Sequence, residues 1–242
     1  MRIITWNFGR HAPDTPEART MLDRITAAKP DVVCLTKGYE TSLAALGGHV
    51  ISNAGASWGP AAPEERKVIL WSKSPWRDPL DLGALTALGG AVGALTDTDL
   101  GLVRFIGIAT PNPFASPEGK LPRPPQWSMH ISYLEMLGET LKRLDLSTPT
   151  VIVGDFNQFV PLIWGAWSAH HALNAALHGF GILTQGDIAP IGEHTLDHVT
   201  VTHHLRAGDI SGLSRFAEDG AALGDRFGVV VDLESGGVQI FD

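Results

Sequence analysis

The residues of this chain that could do chemistry stand where short apolar runs begin or end. Asn7 follows Arg2 to Trp6. Asp155 and Asn157 follow Thr150 to Val153, in Gly154-Asp155-Phe156-Asn157. Asp197 lies at the start of Leu196 to Thr202, and Asp225 and Arg226 precede Phe227 to Leu233. Each alone reads as a turn or a cap, because Asp and Asn bond their own backbone there. Together, at neighbouring strand ends, they would converge in one crevice. Carboxylate and amide oxygens so gathered suit Mg²⁺, which prefers oxygen ligands and keeps waters. Such a cation neutralises a phosphoryl oxygen and helps generate an attacking hydroxide.

The elements that must position these residues alternate in type. Strands are expected over Arg2–Trp6, Asp31–Leu35, Val68–Trp71, Ala91–Leu95, Val103–Ala109, Thr150–Val153, Leu196–Thr202 and Phe227–Leu233. The runs are short and rich in β-branched residues, as in strands buried on both faces. Helices are expected over Pro16–Lys29, Ser128–Leu144 and Leu162–His178, from apolar residues at helical spacing. Residues 111–125 hold six prolines and read as a long surface loop. Strands and helices mix to the end, so one α/β domain is expected over residues 1–234, with a tail at 235–242.

The chain has 242 residues, 44% of them apolar and 18% charged, which excludes a disordered chain. It has no apolar run of about 20 residues, so no membrane span is expected. MRIITWNFGR turns polar too soon for a signal peptide. The lone Cys34 excludes an internal disulfide and fits a cytoplasmic protein. A net charge of −8 argues against sequence-blind binding of long DNA, which needs clustered Lys and Arg. A phosphorylated small molecule or a short nucleic acid in a local positive pocket remains open.

The order of five strings resembles the endonuclease/exonuclease/phosphatase superfamily. They are Thr5-Trp6-Asn7, Pro30-Asp31-Val32-Val33-Cys34-Leu35, Val151-Ile152-Val153-Gly154-Asp155-Phe156-Asn157, Leu196-Asp197-His198-Val199 and Gly224-Asp225-Arg226-Phe227-Gly228. The resemblance implies a DNase I-like four-layer α/β sandwich, with two stacked mixed sheets, helices outside and the site at one edge. It implies Asn7 and Asp225 near a Mg²⁺ ion, and Asp155 acting on the attacking water. It also implies Asn157 on the phosphate and Asp197 orienting a catalytic histidine.

Three positions depart from the family pattern. A metal-binding Glu is expected after the second strand, where this chain has Leu35-Thr36-Lys37. The family's closing Ser-Asp-His is here Gly224-Asp225-Arg226. The central strand usually ends in His or Tyr, but Ile108-Ala109-Thr110-Pro111-Asn112 has neither. A lysine at the metal position opposes a divalent ion, so Mg²⁺ is expected to be weak or absent. Lys37 then takes the metal's electrostatic role, Arg226 becomes a phosphate contact, and Asn112 a substrate contact. Glu40 is a lesser candidate as substitute ligand.

Other chemistries are less well supported. The histidines lack zinc spacings and have no cysteine partner, no nucleophile elbow is present, and Cys34 lies in a buried strand. Trp6, Trp71 and Trp164 are expected in the core or a cleft wall; Trp58, Trp76 and Trp127 flank loops. Two functions stay open: a phosphoester hydrolase (phosphodiesterase or phosphatase) with an altered metal site, or an inactive member whose cleft binds a phosphorylated ligand or a protein.

Overall fold

The computed structural model describes residues 1–53, 62, 64–116 and 123–237. Trp58, the middle of the Pro-rich loop and the end of the expected tail lie outside these residues. The first half of the chain runs β1 (Arg2–Asn7), α1 (Pro16–Ala27), β2 (Val32–Tyr39), a 3-10 segment (Glu40–Leu46), β3 (His49–Ser52), β4 (Glu65–Ser72), β5 (Trp76–Arg77), α2 (Gly83–Leu88), β6 (Gly90–Thr98) and β7 (Gly101–Ala109). It continues through α3 (Ser128–Leu141), β8 (Thr150–Asp155), α4 (Trp167–Ala176), β9 (Gly181–Ile182), β10 (Asp187–Ile188), β11 (Glu193–His194), β12 (Asp197–Val201), β13 (Leu205–Leu213) and β14 (Gly228–Ser235).

Two six-stranded mixed sheets result. One has the order β13-β14-β1-β2-β4-β3 and the other β5-β6-β7-β8-β12-β9. Their inner faces meet through Ile3, Cys34, Leu70, Phe105, Val153 and Val229, all fully buried. On the outside of the first sheet, Met21 and Ile25 of α1 cover Ile4, Val33 and Ile69. On the outside of the second, Leu134 and Leu137 of α3 and Leu173 of α4 cover Ile106 and Ile152. These are the four layers that the resemblance implies. Apolar residues on both faces of each central strand are the reason: each sheet has two sides to bury.

Local signals place the ends well where capping chemistry is present. Thr15 caps α1, accepting from the Ala18 amide at 3.3 Å, with Pro16 in the first turn. Elsewhere the structure corrects the expectations. β2 runs on through Lys37 to Tyr39 because Gly38 and Tyr39 pair with Arg66 and Glu65 of β4. The helix expected over Leu162–His178 begins only at Trp167, since Gly165 has φ +122°. α3 closes at Leu141, three residues early. β3 and the nine-residue β13 gave no sequence signal: both are edge strands that carry polar residues, and β13 also holds two glycines. Trp6 and Trp71 are buried as expected, but Trp164 is 53% exposed. β14 reaches Ser235, where it still pairs with Leu205.

Candidate active site

The parallel pair β1–β2 and the neighbours β8 and β12 end at the same edge of the sandwich. Asn7 is opposite Thr36, and Asp155 is opposite Asp197 across the β8–β12 ladder. Directly opposed residues of an antiparallel pair present their side chains on the same face. The two carboxylates are therefore neighbours by register, and both are fully buried.

Asp155 is the hub of the site. Its Oδ2 accepts from Asn7 Nδ2 at 2.9 Å and lies 3.6 Å from Lys37 Nζ. Its Oδ1 accepts from the Asn157 backbone amide at 3.0 Å. Asn157 in turn donates from Nδ2 to the Thr110 carbonyl at 2.8 Å. Asn7 Oδ1 accepts from the Gly9 amide at 3.0 Å, which orients the Asn7 carboxamide with its donor end toward Asp155.

Four residues of this constellation occupy the left-handed backbone region: Gly9 (φ +59°), Arg10 (+69°), Lys37 (+53°) and Asn157 (+49°). For lysine and arginine that region is sparsely populated, and such conformations gather at sites whose geometry the surroundings dictate. The turn Asn7-Phe8-Gly9-Arg10 is tied to β2 by two bonds: Phe8 N donates to Thr36 O, and Arg10 N to Lys37 O, each at 2.8 Å. This brings Lys37 and Arg10 to one rim.

Above Asp155 opens a hollow of about 300 Å³, lined by Asn7, Arg10, Lys37, Asn112, Asp225 and Arg226, with Gly9. The six include three cations and one carboxylate. Arg10 Nε pairs with the nearly buried Glu65 at 3.1 Å. Lys67 lies behind the rim; burial, then repulsion from Lys37 and Arg10, push its ammonium down to about 7. Asp225 and Arg226 also line an adjoining hollow of about 230 Å³ with Phe159, His194 and Phe227. The Arg226 carbonyl accepts from Trp6 Nε1 at 3.0 Å, which anchors the lead-in to β14 on β1.

Asp197 lies below this surface. Among the described residues, neither of its carboxylate oxygens has a hydrogen-bond partner. Burial first, then the charge of Asp155, push its carboxyl up to about 7, against the pull of Arg226 and Lys37. His198 faces away from the site. It is fully buried, with Nε2 2.9 Å from the Gln158 carbonyl and Nδ1 2.9 Å from Thr184 Oγ1, and burial pushes it down to about 4.

Asn7, Lys37, Asn112, Asp225 and Arg226 thus meet at one hollow, with Asp155, Asn157 and Asp197 around and under its floor. Glu40 does not join them: its Oε1 accepts from Ser52 Oγ and from Arg66 Nε, and it borders a different hollow. Sequence reasoning missed Gly9 and Arg10, whose signal was the turn directly after Asn7. It also missed Lys67, whose place depends on β4 pairing. His130 is another omission: it is fully buried, and its Nδ1–H donates to the Pro111 carbonyl at 2.7 Å. That bond holds the start of the Pro-rich loop, and with it Asn112, against α3.

A divalent ion does not fit this donor set. The Asn7 amide points its NH₂ group, not its oxygen, at Asp155, and the Lys37 ammonium stands beside the same carboxylate. Among the described residues, no group of three or more His, Cys, Asp or Glu is placed to hold a metal.

Residues 4–220 match the family model described as Endonuclease/Exonuclease/phosphatase family. The chain belongs to the endonuclease/exonuclease/phosphatase family, and its architecture is that family's DNase I-like sandwich. An endonuclease/exonuclease/phosphatase from Beutenbergia cavernae superimposes with a TM-score of 0.68 at 18% identity, covering 98% of this chain and 72% of that one. An AP endonuclease from Archaeoglobus fulgidus gives 0.69 at 18% identity, covering 96% and 98%. Sphingomyelinase C from Streptomyces griseocarneus gives 0.60 at 13%, covering 96% and 98%. No curated protein matches the sequence.

Proposed function

We propose that this chain binds a phosphorylated ligand in the Lys37 hollow without a metal, and that any phosphoester hydrolysis it performs is slow. The observation that carries this reading is the Lys37 ammonium 3.6 Å from the buried Asp155 carboxylate. It places a fixed positive charge where a Mg²⁺-dependent member would need an anionic ligand. Lys37, Arg10 and Arg226 offer ammonium and guanidinium donors to phosphoryl oxygens. Asn7 and Asn112 complete a polar rim around them.

Binding and turnover separate here. Phosphoryl transfer draws on positive charge at the phosphoryl oxygens and on a positioned nucleophile. The cations supply the first. For the second, Asp155 is already engaged by Asn7, Lys37 and the Asn157 amide. Its use as a base on water would cost those bonds. The ligand is a phosphorylated small molecule or a short nucleic acid, since the acidic chain repels a long polyanion. Cys34, alone and buried in β2 with its thiol pushed up by burial, suits a reducing cytoplasm.

Calorimetry with inorganic phosphate and with a chromogenic phosphodiester, in chelator, tests the reading. Both should bind to the wild type, and Lys37→Ala should weaken both tenfold or more. Fast turnover that chelator abolishes would overturn it.

A further inference from the structure

The four most exposed large apolar side chains among the described residues gather around Trp127. Phe114 is 71% exposed, Trp167 67%, Ile163 59% and Trp164 53%. The Trp164 ring lies 5.7 Å from that of Trp127, which is itself buried. Gly165 comes so near that a Cβ there would stand 3.0 Å from the same ring. Trp127 N donates to the Pro113 carbonyl at 2.8 Å, which brings Phe114, the next residue, to this place. Trp167 opens α4 two residues after Gly165, with its ring beside His170 and His171. At these fractions the four side chains expose on the order of 500 Å². Apolar patches beyond a few hundred Å² mark interaction surfaces.

Charge narrows the choice of occupant. Residues 156–186 contain no Asp, Glu, Lys or Arg, in a chain that is 18% charged and carries a net charge of −8. A second copy would bring like charge, which opposes self-association. A nucleic acid needs Lys and Arg along its backbone as well as rings for its bases, and this segment supplies no cation. A basic protein would seek carboxylates, which are equally absent from it. A zwitterionic bilayer asks for neither sign of charge. It takes tryptophan rings at the headgroup level and apolar side chains below them. Among the described residues no helix is long and apolar enough to cross a membrane, so the contact is with the surface.

We propose that Phe114, Ile163, Trp164 and Trp167 form a docking surface for a neutral lipid bilayer of the phosphatidylcholine type. The two indole rings lie at the interface, where their apolar bodies face the acyl chains and their N–H groups stay wet. Ile163 and Phe114 reach deeper. The surface is separate from the Lys37 hollow, since none of the four residues lines it. Docking therefore stands or falls independently of phosphate binding.

Flotation of the full chain with phosphatidylcholine vesicles tests this. The wild type should float with them, and its tryptophan emission should shift to the blue and be quenched by lipids brominated on the acyl chains. Added phosphatidylserine should weaken the binding, because the chain is acidic. The double variant Trp164→Ala, Trp167→Ala should cut partitioning tenfold or more. Ile163→Glu, which leaves the Trp127–Trp164 contact in place, should do the same. Lys37→Ala should float like the wild type while losing phosphate affinity, so failure of one site is distinguishable from failure of the other. No flotation, flotation indifferent to Ile163→Glu, flotation that requires phosphatidylserine, or flotation lost in Lys37→Ala would each overturn the proposal. So would a dimer in analytical ultracentrifugation, or binding of a labelled oligothymidylate, that Ile163→Glu abolishes; the patch would then belong to a second copy or to a nucleic acid.

Discussion

At residue scale, the chemistry turns on which charge stands beside Asp155. Two unit charges about 4 Å apart interact by about 4 kcal/mol at an effective dielectric near 20. On the proposed reading, Lys37, 3.6 Å from Asp155, would oppose a divalent ion there directly, tempered by the partial exposure of its side chain. Lys37→Glu should raise Mg²⁺ affinity at least tenfold by calorimetry, whereas wild-type protein should show weak binding or none. Asp197 governs a separate property. Its folded-state carboxyl is raised from 3.8 to about 7, so between those values the folded chain holds more protons than the unfolded one. Stability from this group is then fully present below about pH 4 and lost as pH rises through 7. Asp197→Asn should flatten that slope and raise the melting temperature above pH 7, read from thermal unfolding across pH 3–9.

Among the elements, the site depends on how closely β7 and β8 approach. Gly154 has φ +136°, and a Cβ there would stand 2.1 Å from the Ile108 carbonyl oxygen. No side chain fits without parting the two strands that carry Thr110 and Asp155. Gly154→Ala should cost several kcal/mol, roughly 3 or more, in urea unfolding, because the obstacle is backbone and cannot rotate away. Gly179 makes the contrast: φ is +84° but nothing lies within 4 Å. Gly179→Ala should cost only the backbone strain, about 1–2 kcal/mol.

For the whole molecule, ligand binding is coupled to stability. A ligand that binds only the folded chain adds about 2.7 kcal/mol when present at 100 times its Kd. For a chain of this size that is about 5–10 °C in melting temperature. Inorganic phosphate or a phosphodiester should give such a rise, and a tenfold or greater loss of affinity in Lys37→Ala should cut it by about half or more. Chelator or added Mg²⁺ should leave the wild-type melting temperature where it was. Differential scanning calorimetry settles both arms. A chelator-induced drop of several degrees would mean that a metal belongs to the native protein.

The layered α/β architecture was legible because buried strands announce themselves as apolar runs and helices as apolar stripes. Asp155, Asn157 and Asn7 were legible for a related reason: polar residues directly after such runs sit at strand ends, and strand ends share a sheet edge. Edge strands escaped this reading. β3 and β13 bury little, so their residues carry no apolar period. Lys67 and Arg10 escaped it because their place depends on a long-range pairing and a left-handed turn. Lys37 itself shows the division of labour. Its type and position in the chain sufficed to question a metal. Only the fold decided that its ammonium reaches Asp155, that Asn7 turns its donor end to the same carboxylate, and that Glu40 is drawn off by Arg66. The physical reason is that sequence specifies local preference, whereas the partner of a charge is chosen by tertiary packing across tens of residues.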